Sequence, residues 1–169
     1  MKNYKFCPYC GSPSKKYKEY FKCGICGKVV YLASYPTASA FIIKNGKYLI
    51  SKRAIEPDKG MYDVIGGFLR GGELPEEGLK REFKEETGSS VKILDLLGVY
   101  TGKYNHQGDL IYTFDVCYVA KLTNPKIKPN DDVASFHWFP IGTIPGNLHG
   151  DWLAKALKDL QKWYEKHKS

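Results

Sequence analysis

Apolar positions recur in several short runs along the chain, alternating with polar ones in 91–100, and each run predicts a β-strand. Residues 38–43 and 47–51 are two such runs, joined by Asn45-Gly46, a pair suited to the positive backbone angles of a two-residue hairpin. Residues 91–100, 110–121 and 134–139 read the same way, and the second of these is long. Residues 33–37, around Pro36, read as a linker. Residues 101–109, with Gly102, His106 and Gly108, read as a polar loop, and residues 124–132 as another, bearing proline and lysine. The period lengthens to a helical one over 151–166, where Leu153, Ala156, Leu157, Leu160, Trp163 and Tyr164 make one core-facing stripe.

A second helix is marked by its ends. The glycines at 66, 67, 71 and 72 make a turn that leads into it. Pro75 suits the first turn, Glu76 and Glu77 favour the positive end of the helix dipole, and Gly88 suits the stop. Glu82, Glu85 and Glu86 are spaced i, i+3 and i+4, within an arc of roughly 100°. Carboxylates crowded on one face repel one another. A solvated acidic helix would intersperse lysines along that face; a hard divalent cation held by oxygen ligands, Mg²⁺ or Mn²⁺, is the simpler compensation here. Gly78, one turn earlier, would leave room for a metal cluster and a bulky anion, although a lone helical glycine also serves close packing.

The 169 residues suit one ordinary domain plus a small appendage, and 43% hydrophobic content is ample for a core. No apolar run reaches the length of a membrane span, and the N-terminus lacks a signal peptide's apolar segment, so a cytoplasmic protein is expected. The net charge of +8, with lysines scattered along the chain, favours anionic partners such as nucleotides or RNA. Cys7-Pro8-Tyr9-Cys10-Gly11 and Cys23-Gly24-Ile25-Cys26-Gly27 repeat one knuckle, each directing a pair of thiolates at one metal. Together they predict a structural Zn²⁺ ion in a zinc ribbon over 1–33, with no open coordination position and a fold that depends on the metal. A redox dithiol and disulfides are the rivals; the second matched pair argues against the first and the compartment against the second. Cys117, alone in an apolar run, reads as a small buried hydrophobe.

The series Gly67, Glu73, Arg81-Glu82-Phe83, Glu85-Glu86 and Gly88 resembles the Nudix box, with Ser89 where the family has an aliphatic residue. The family often has proline just before its paired glycines, and Ile65 takes that place. The resemblance implies an α/β/α sandwich with a mixed sheet over 34–169, built on the ribbon. It implies hydrolysis of the diphosphate bond in a nucleoside diphosphate linked to another moiety. By position, Glu82, Glu85 and Glu86 become Mg²⁺ or Mn²⁺ ligands with the Gly66 carbonyl, Arg81 a residue that holds a carboxylate in place, and Glu73 a support for the loop–helix junction. The family often takes its general base from outside the box. Asp132, with Asp131 beside it, is placed in that role; Glu56 and His106 are alternatives, and all of these also read as exposed polar residues.

Arg53 and Arg70 are placed on substrate phosphates, and Tyr62, Phe68, Tyr104 or Tyr112 under a base, although aromatics at strand spacing also serve a core. The Arg53 region with the ribbon is similar to a subgroup of zinc-ribbon Nudix hydrolases. Those include NADH pyrophosphatases, which also remove NAD caps from RNA and carry a Ser-Gln-Pro-Trp-type motif that residues 100–113 lack. Lys52-Arg53-Ala54-Ile55 looks more like relatives that cleave ADP-ribose or FAD. ADP-ribose is therefore expected first, with FAD, NADH and capped RNA as alternatives. A non-catalytic nucleotide- or RNA-binding module is disfavoured, because the box glutamates are all retained. The resemblance also makes a homodimer an expected assembly.

Overall fold

In the computed structural model, which describes residues 5–106 and 109–168, a mixed sheet lies between two helices. The central strand β4 (Tyr35–Lys44) explains why. Ala38, Ala40 and Ile42 point to one face and pack with Leu79 and Phe83 of α1 (Pro75–Thr87). Phe41 and Ile43 point to the other and pack with Leu153, Leu157 and Leu160 of α2 (Leu153–His167). A strand buried on both faces reads as a near-continuous apolar run, and residues 38–43 do, with Ser39 the one polar interruption.

β5 (Lys47–Arg53) returns antiparallel to β4 through Asn45 and Gly46, at φ 49° and 69°, as their sequence predicts. The sheet order is β10-β5-β4-β9-β8, where β8 is Val91–His106, β9 Asp109–Leu122 and β10 Val133–Pro140. β4 and β9 run parallel, the other neighbours antiparallel. Two short strands, β6 (Tyr62–Asp63) and β7 (Ile65–Phe68), pair with β5 and β4. A separate three-stranded sheet, β1 (Ser14–Lys16), β2 (Tyr20–Cys23) and β3 (Val29–Tyr31), forms the N-terminal module.

Two expectations need correction. Residues 33–37 are not all linker: β4 begins at Tyr35, and Pro36 stands near its start, where a missing N–H is tolerated. Its carbonyl still accepts a hydrogen bond from the Leu69 amide. Nor is 101–109 a loop, since β8 continues to His106 in register with β9. Thr101, Lys103 and Asn105 are exposed and Gly102 is buried, so the polar outer row disguises a strand. A Cβ at Gly102 would lie 2.8 Å from the Trp152 ring, which is why the inner row lacks a side chain there. Gly108 falls outside the described residues, as do the side chains of Tyr104 and His106. Cys117 is fully buried, as expected.

Candidate active site

The glycine turn brings backbone where side chains would collide. Gly66, at φ 148°, pairs with Ser39 of β4; a Cβ there would sit 2.2 Å from the Ala38 carbonyl oxygen. At Gly67 a Cβ would lie 2.7 Å from the Glu82 carboxyl carbon, so glycine lets α1 carry Glu82 over the end of β7. Of the two uses read for Gly78, close packing is the one that the structure shows. Its missing side chain admits Leu69, which a Cβ would meet at 2.3 Å, and the Glu73 carboxylate at 3.0 Å; the space serves packing.

Arg81 organises the carboxylates. It donates to both Glu73 oxygens at 2.7 Å, to Glu82, to Glu85 at 3.2 Å and to the Phe68 carbonyl at 3.0 Å. The guanidinium holds the Glu73 carboxyl down at about 2, helped by the Arg70 amide that donates to it. Glu73 thus joins loop to helix, as its place in the sequence suggested. Helix α1 begins at Pro75, and the Leu74 amide donates to the Glu77 carboxylate at 3.3 Å. It ends at Gly88, at φ 67°.

Glu86 is the strained member of the group. It is 7% exposed, and its Oε2 has no hydrogen-bond partner among the described residues. Burial pushes its carboxyl up to about 9, repulsion from Asp132, Asp63 and Glu82 adds to this, and a hydrogen bond with the Gly66 backbone opposes it. Asp132 is brought here by the end of α1. The Asn130 amide donates to the Glu86 carbonyl at 3.0 Å, the Asn130 side-chain amide to the Glu85 carbonyl at 2.9 Å, and the Lys128 amide to the Thr87 carbonyl at 3.1 Å. The last carbonyls of the helix, which lack helical partners, are capped by the loop that carries Asp131 and Asp132.

These residues line a cavity of about 240 Å³. Of the expected site residues, Glu82, Glu86, Gly66, Arg53, Asp131, Asp132 and Phe68 reach its wall. Glu85 does not; it is turned to Arg70 and Arg81. Arg70, Tyr62, Tyr112 and Glu56 are also absent from the wall, and Tyr62 packs edge-on against His137 and Phe139. Arg53 donates to the Asp63 carboxylate at 3.0 Å and to the Pro57 carbonyl at 2.9 Å. His149 stands 3.8 Å from Asp63 and 3.0 Å from Asp58.

Several wall residues went unread in the sequence. Asp63 is deeply buried, and burial raises its pKa against the pull of His149 and Arg53. Asp115 is buried too, accepting hydrogen bonds from the Thr37 hydroxyl at 2.7 Å and the Ser39 hydroxyl at 2.6 Å. Its pKa is pushed up to about 6 by burial, against those two hydrogen bonds. The signal available was a polar residue at an inward strand position: Thr37, Ser39 and Asp115 interrupt rows that are otherwise apolar. Lys103, Thr113 and Trp152 complete the far side.

In the N-terminal module the Sγ atoms of Cys7, Cys10, Cys23 and Cys26 all lie within 4.8 Å of one another. The pairs Cys7–Cys26 and Cys10–Cys23 are each 3.6 Å apart, close to the roughly 3.8 Å edge of a tetrahedron with Zn–S bonds of about 2.3 Å. The knuckles match: the Gly11 and Gly27 amides donate to the Cys7 and Cys23 carbonyls, at φ 72° and 69°. The cluster is compatible with a zinc ion.

A layered α/β/α sandwich thus carries acidic and glycine-turn groups that converge on one cavity, and the relatives of the chain are pyrophosphatases and hydrolases. The chain belongs to the NUDIX domain family, whose model matches residues 34–160, and Nudix hydrolases in general use divalent metals. It is 33% identical over 135 residues to an ADP-ribose pyrophosphatase of Methanocaldococcus jannaschii, covering 79% of this chain and 77% of that one. It is 28% identical over 147 residues to the NAD-capped RNA hydrolase NudC of Chromobacterium violaceum, covering 85% of this chain; the match spans 53% of that longer relative. The crystal structure of a NUDIX hydrolase from Nitrosomonas europaea superposes over 96% of this chain and 93% of its own, with a TM-score of 0.79 at 23% identity. This likeness in fold takes in most of the N-terminal module as well.

Proposed function

We propose that the chain hydrolyses ADP-ribose to AMP and ribose 5-phosphate, using Mg²⁺ or Mn²⁺ held by Glu82, Glu85, Glu86 and the Gly66 carbonyl. The observation that carries this is Glu86: a buried carboxylate with an unpartnered oxygen, facing Asp132 and Glu82 in one cavity. Arg81 pairs with Glu82 and Glu85, but no described residue partners Glu86 Oε2, and a buried hard oxygen donor so placed suits a divalent cation. When bound, such an ion offsets the charge of the diphosphate and lowers the pKa of a water. Glu85 would leave Arg70 to join it, a side-chain rotation at an exposed position.

The remaining tasks fall to the protein. Arg53, oriented by Asp63, and Lys103 present positive charge to the cavity for the phosphates. Asp132, fixed by the loop that caps α1, is proposed to accept the proton of the attacking water. Arg81 keeps Glu82 aimed across Gly67. The zinc proposed in the ribbon is structural. Support for ADP-ribose comes from the M. jannaschii relative, which matches over most of its length. FAD, NADH and NAD-capped RNA are the competing substrates, the last favoured by the NudC relative.

The test is a Mg²⁺-dependent hydrolysis panel of ADP-ribose, FAD, NADH, nucleoside triphosphates and NAD-capped RNA, with products separated by chromatography. AMP released most efficiently from ADP-ribose is the expected result; a higher kcat/KM on another member would replace ADP-ribose, and no turnover of any would sink the enzyme reading.

A further inference from the structure

The far side of the cavity is built on three strands in register. Thr37 of β4 pairs with Asp115 of β9, and Asp115 with Tyr100 of β8. Two residues along the same face, Thr113 of β9 pairs with Gly102 of β8. Trp152 lies over this row. Its ring stacks on Tyr100, with centroids 5.2 Å apart and planes at 23°, and its Cδ1–Nε1 edge reaches Gly102. A Cβ on Gly102 would stand 3.0 Å from Thr113 Oγ1 and 3.1 Å from Trp152 Nε1. A Cβ on Gly150 would stand 3.2 Å from the same nitrogen. Two bare glycines therefore leave one small space beside a hydroxyl and an indole N–H, in a wall that also holds Asp115.

The polar groups of this wall are incompletely matched. Asp115 is 4% exposed, and each of its oxygens accepts one hydrogen bond, from Thr37 and from Ser39. Each carboxylate oxygen has capacity for another. Among the described residues no cation pairs with Asp115, and neither the Thr113 hydroxyl nor the Trp152 N–H has an acceptor. An acceptor with spare capacity beside two unspent donors suits a group that donates and accepts at once. A sugar hydroxyl does both. A phosphate only accepts, and the Asp115 carboxylate would repel it. A base requires a ring face, whereas the indole gives one face to Tyr100 and turns its N–H edge to Gly102.

We infer that Asp115, Thr113 and Trp152 form a subsite for sugar hydroxyls, and that it takes the terminal ribose, the half of the substrate that carries no base. This rests on the diphosphate hydrolase reading, with ADP-ribose as the substrate. One hydroxyl donates to Asp115 while it accepts from Trp152, and its neighbour accepts from Thr113.

The experiment compares two ligands by titration calorimetry with the zinc-containing chain: ADP-ribose, and the methyl ester of ADP on its terminal phosphate. The ester keeps the adenosine and the charge of the diphosphate and lacks the terminal hydroxyls. Ca²⁺, which takes oxygen donors, replaces Mg²⁺, and chromatography confirms that each ligand stays intact. ADP-ribose should bind about tenfold or more tighter than the ester, the scale of a hydrogen bond to a charged group. Asp115→Asn should remove that preference and leave the affinity for the ester unchanged. Thr113→Val keeps the shape without the hydroxyl, and should weaken ADP-ribose alone, by about fivefold. Melting checks the fold of both variants. Equal binding of the two ligands by the native chain, or an equal loss on both in the two variants, would overturn the subsite and leave the diphosphate reading standing. Binding of neither ligand would overturn that reading, and the subsite with it.

Discussion

Glu86 and the glycine pair opposite α1 carry different kinds of necessity. Glu86 is held where its charge is unfavourable, by burial and by acidic neighbours. A group so placed costs stability and is a candidate for chemistry. Glu86→Gln keeps the shape and removes the charge, so melting of the metal-free protein should shift upward or stay level. Turnover should fall by at least about 100-fold, the upper end of what merely supporting residues cost at metal sites. Near-normal activity in that variant would remove Glu86 from the metal site. The glycines divide in another way. Gly66→Ala sets a Cβ against the Ala38 carbonyl and the Ser39 backbone in a positive-φ position, and should cost about 3 kcal/mol or more of stability. Gly67→Ala meets only the end of the Glu82 side chain. That variant should fold with a nearly unchanged melting temperature and lose activity because Glu82 is displaced. Equal loss of stability in the two would show that the close approach at Gly67 is not relieved by the side chain.

At the scale of elements, what was legible is what is local. Helix α1 announces itself within a few residues of its own ends, through Pro75, Glu77 and Gly88, and the spacing of its glutamates needs no other part of the chain. The hairpin at Asn45-Gly46 is local in the same sense. Asp63 and Asp115 were missed because their meaning depends on register: Asp115 becomes a cavity residue only when β9 lies parallel to β4 and opposite Thr37. No local pattern reports a parallel neighbour. β8 was cut short at Tyr100 for a related reason, since Gly102 looks like a breaker until Trp152 is packed against it. The buried Asp115 also yields a prediction about β4 and β9. Its pKa of about 6 lies above the ordinary carboxylate value near 3.9, so the folded state takes up a proton before the unfolded chain does. The stabilisation is full below about pH 4 and is lost as the pH rises through about 6, amounting to roughly 3 kcal/mol. Denaturant unfolding of the native chain and of Asp115→Asn, compared at pH 4.5 and pH 7, isolates the effect. The variant should lack that part of the pH dependence; identical pH dependence in both would mean that Asp115 ionises in the fold as freely as in water.

At the scale of the molecule, the two sheets differ in what holds them. The large sheet buries apolar clusters on both faces. The small one buries Phe21 and the sulfurs of Cys7 and Cys23, with few other apolar side chains. A module with so little core leans on its metal. We propose a boundary between residues 33 and 34 on this ground, and its consequence is a separable stability. Cys10→Ser with Cys26→Ser removes the exposed pair of thiols, so about one zinc ion per chain should disappear from elemental analysis. Hydrogen exchange should then show residues 5–33 losing protection while the strands and helices beyond residue 34 keep theirs. If protection collapsed across the whole chain, the two sheets would be one cooperative unit, and the boundary between residues 33 and 34 would not be one of stability. If the body alone survives, the ribbon is a separately folded unit whose stability comes from its metal, and the boundary between residues 33 and 34 stands.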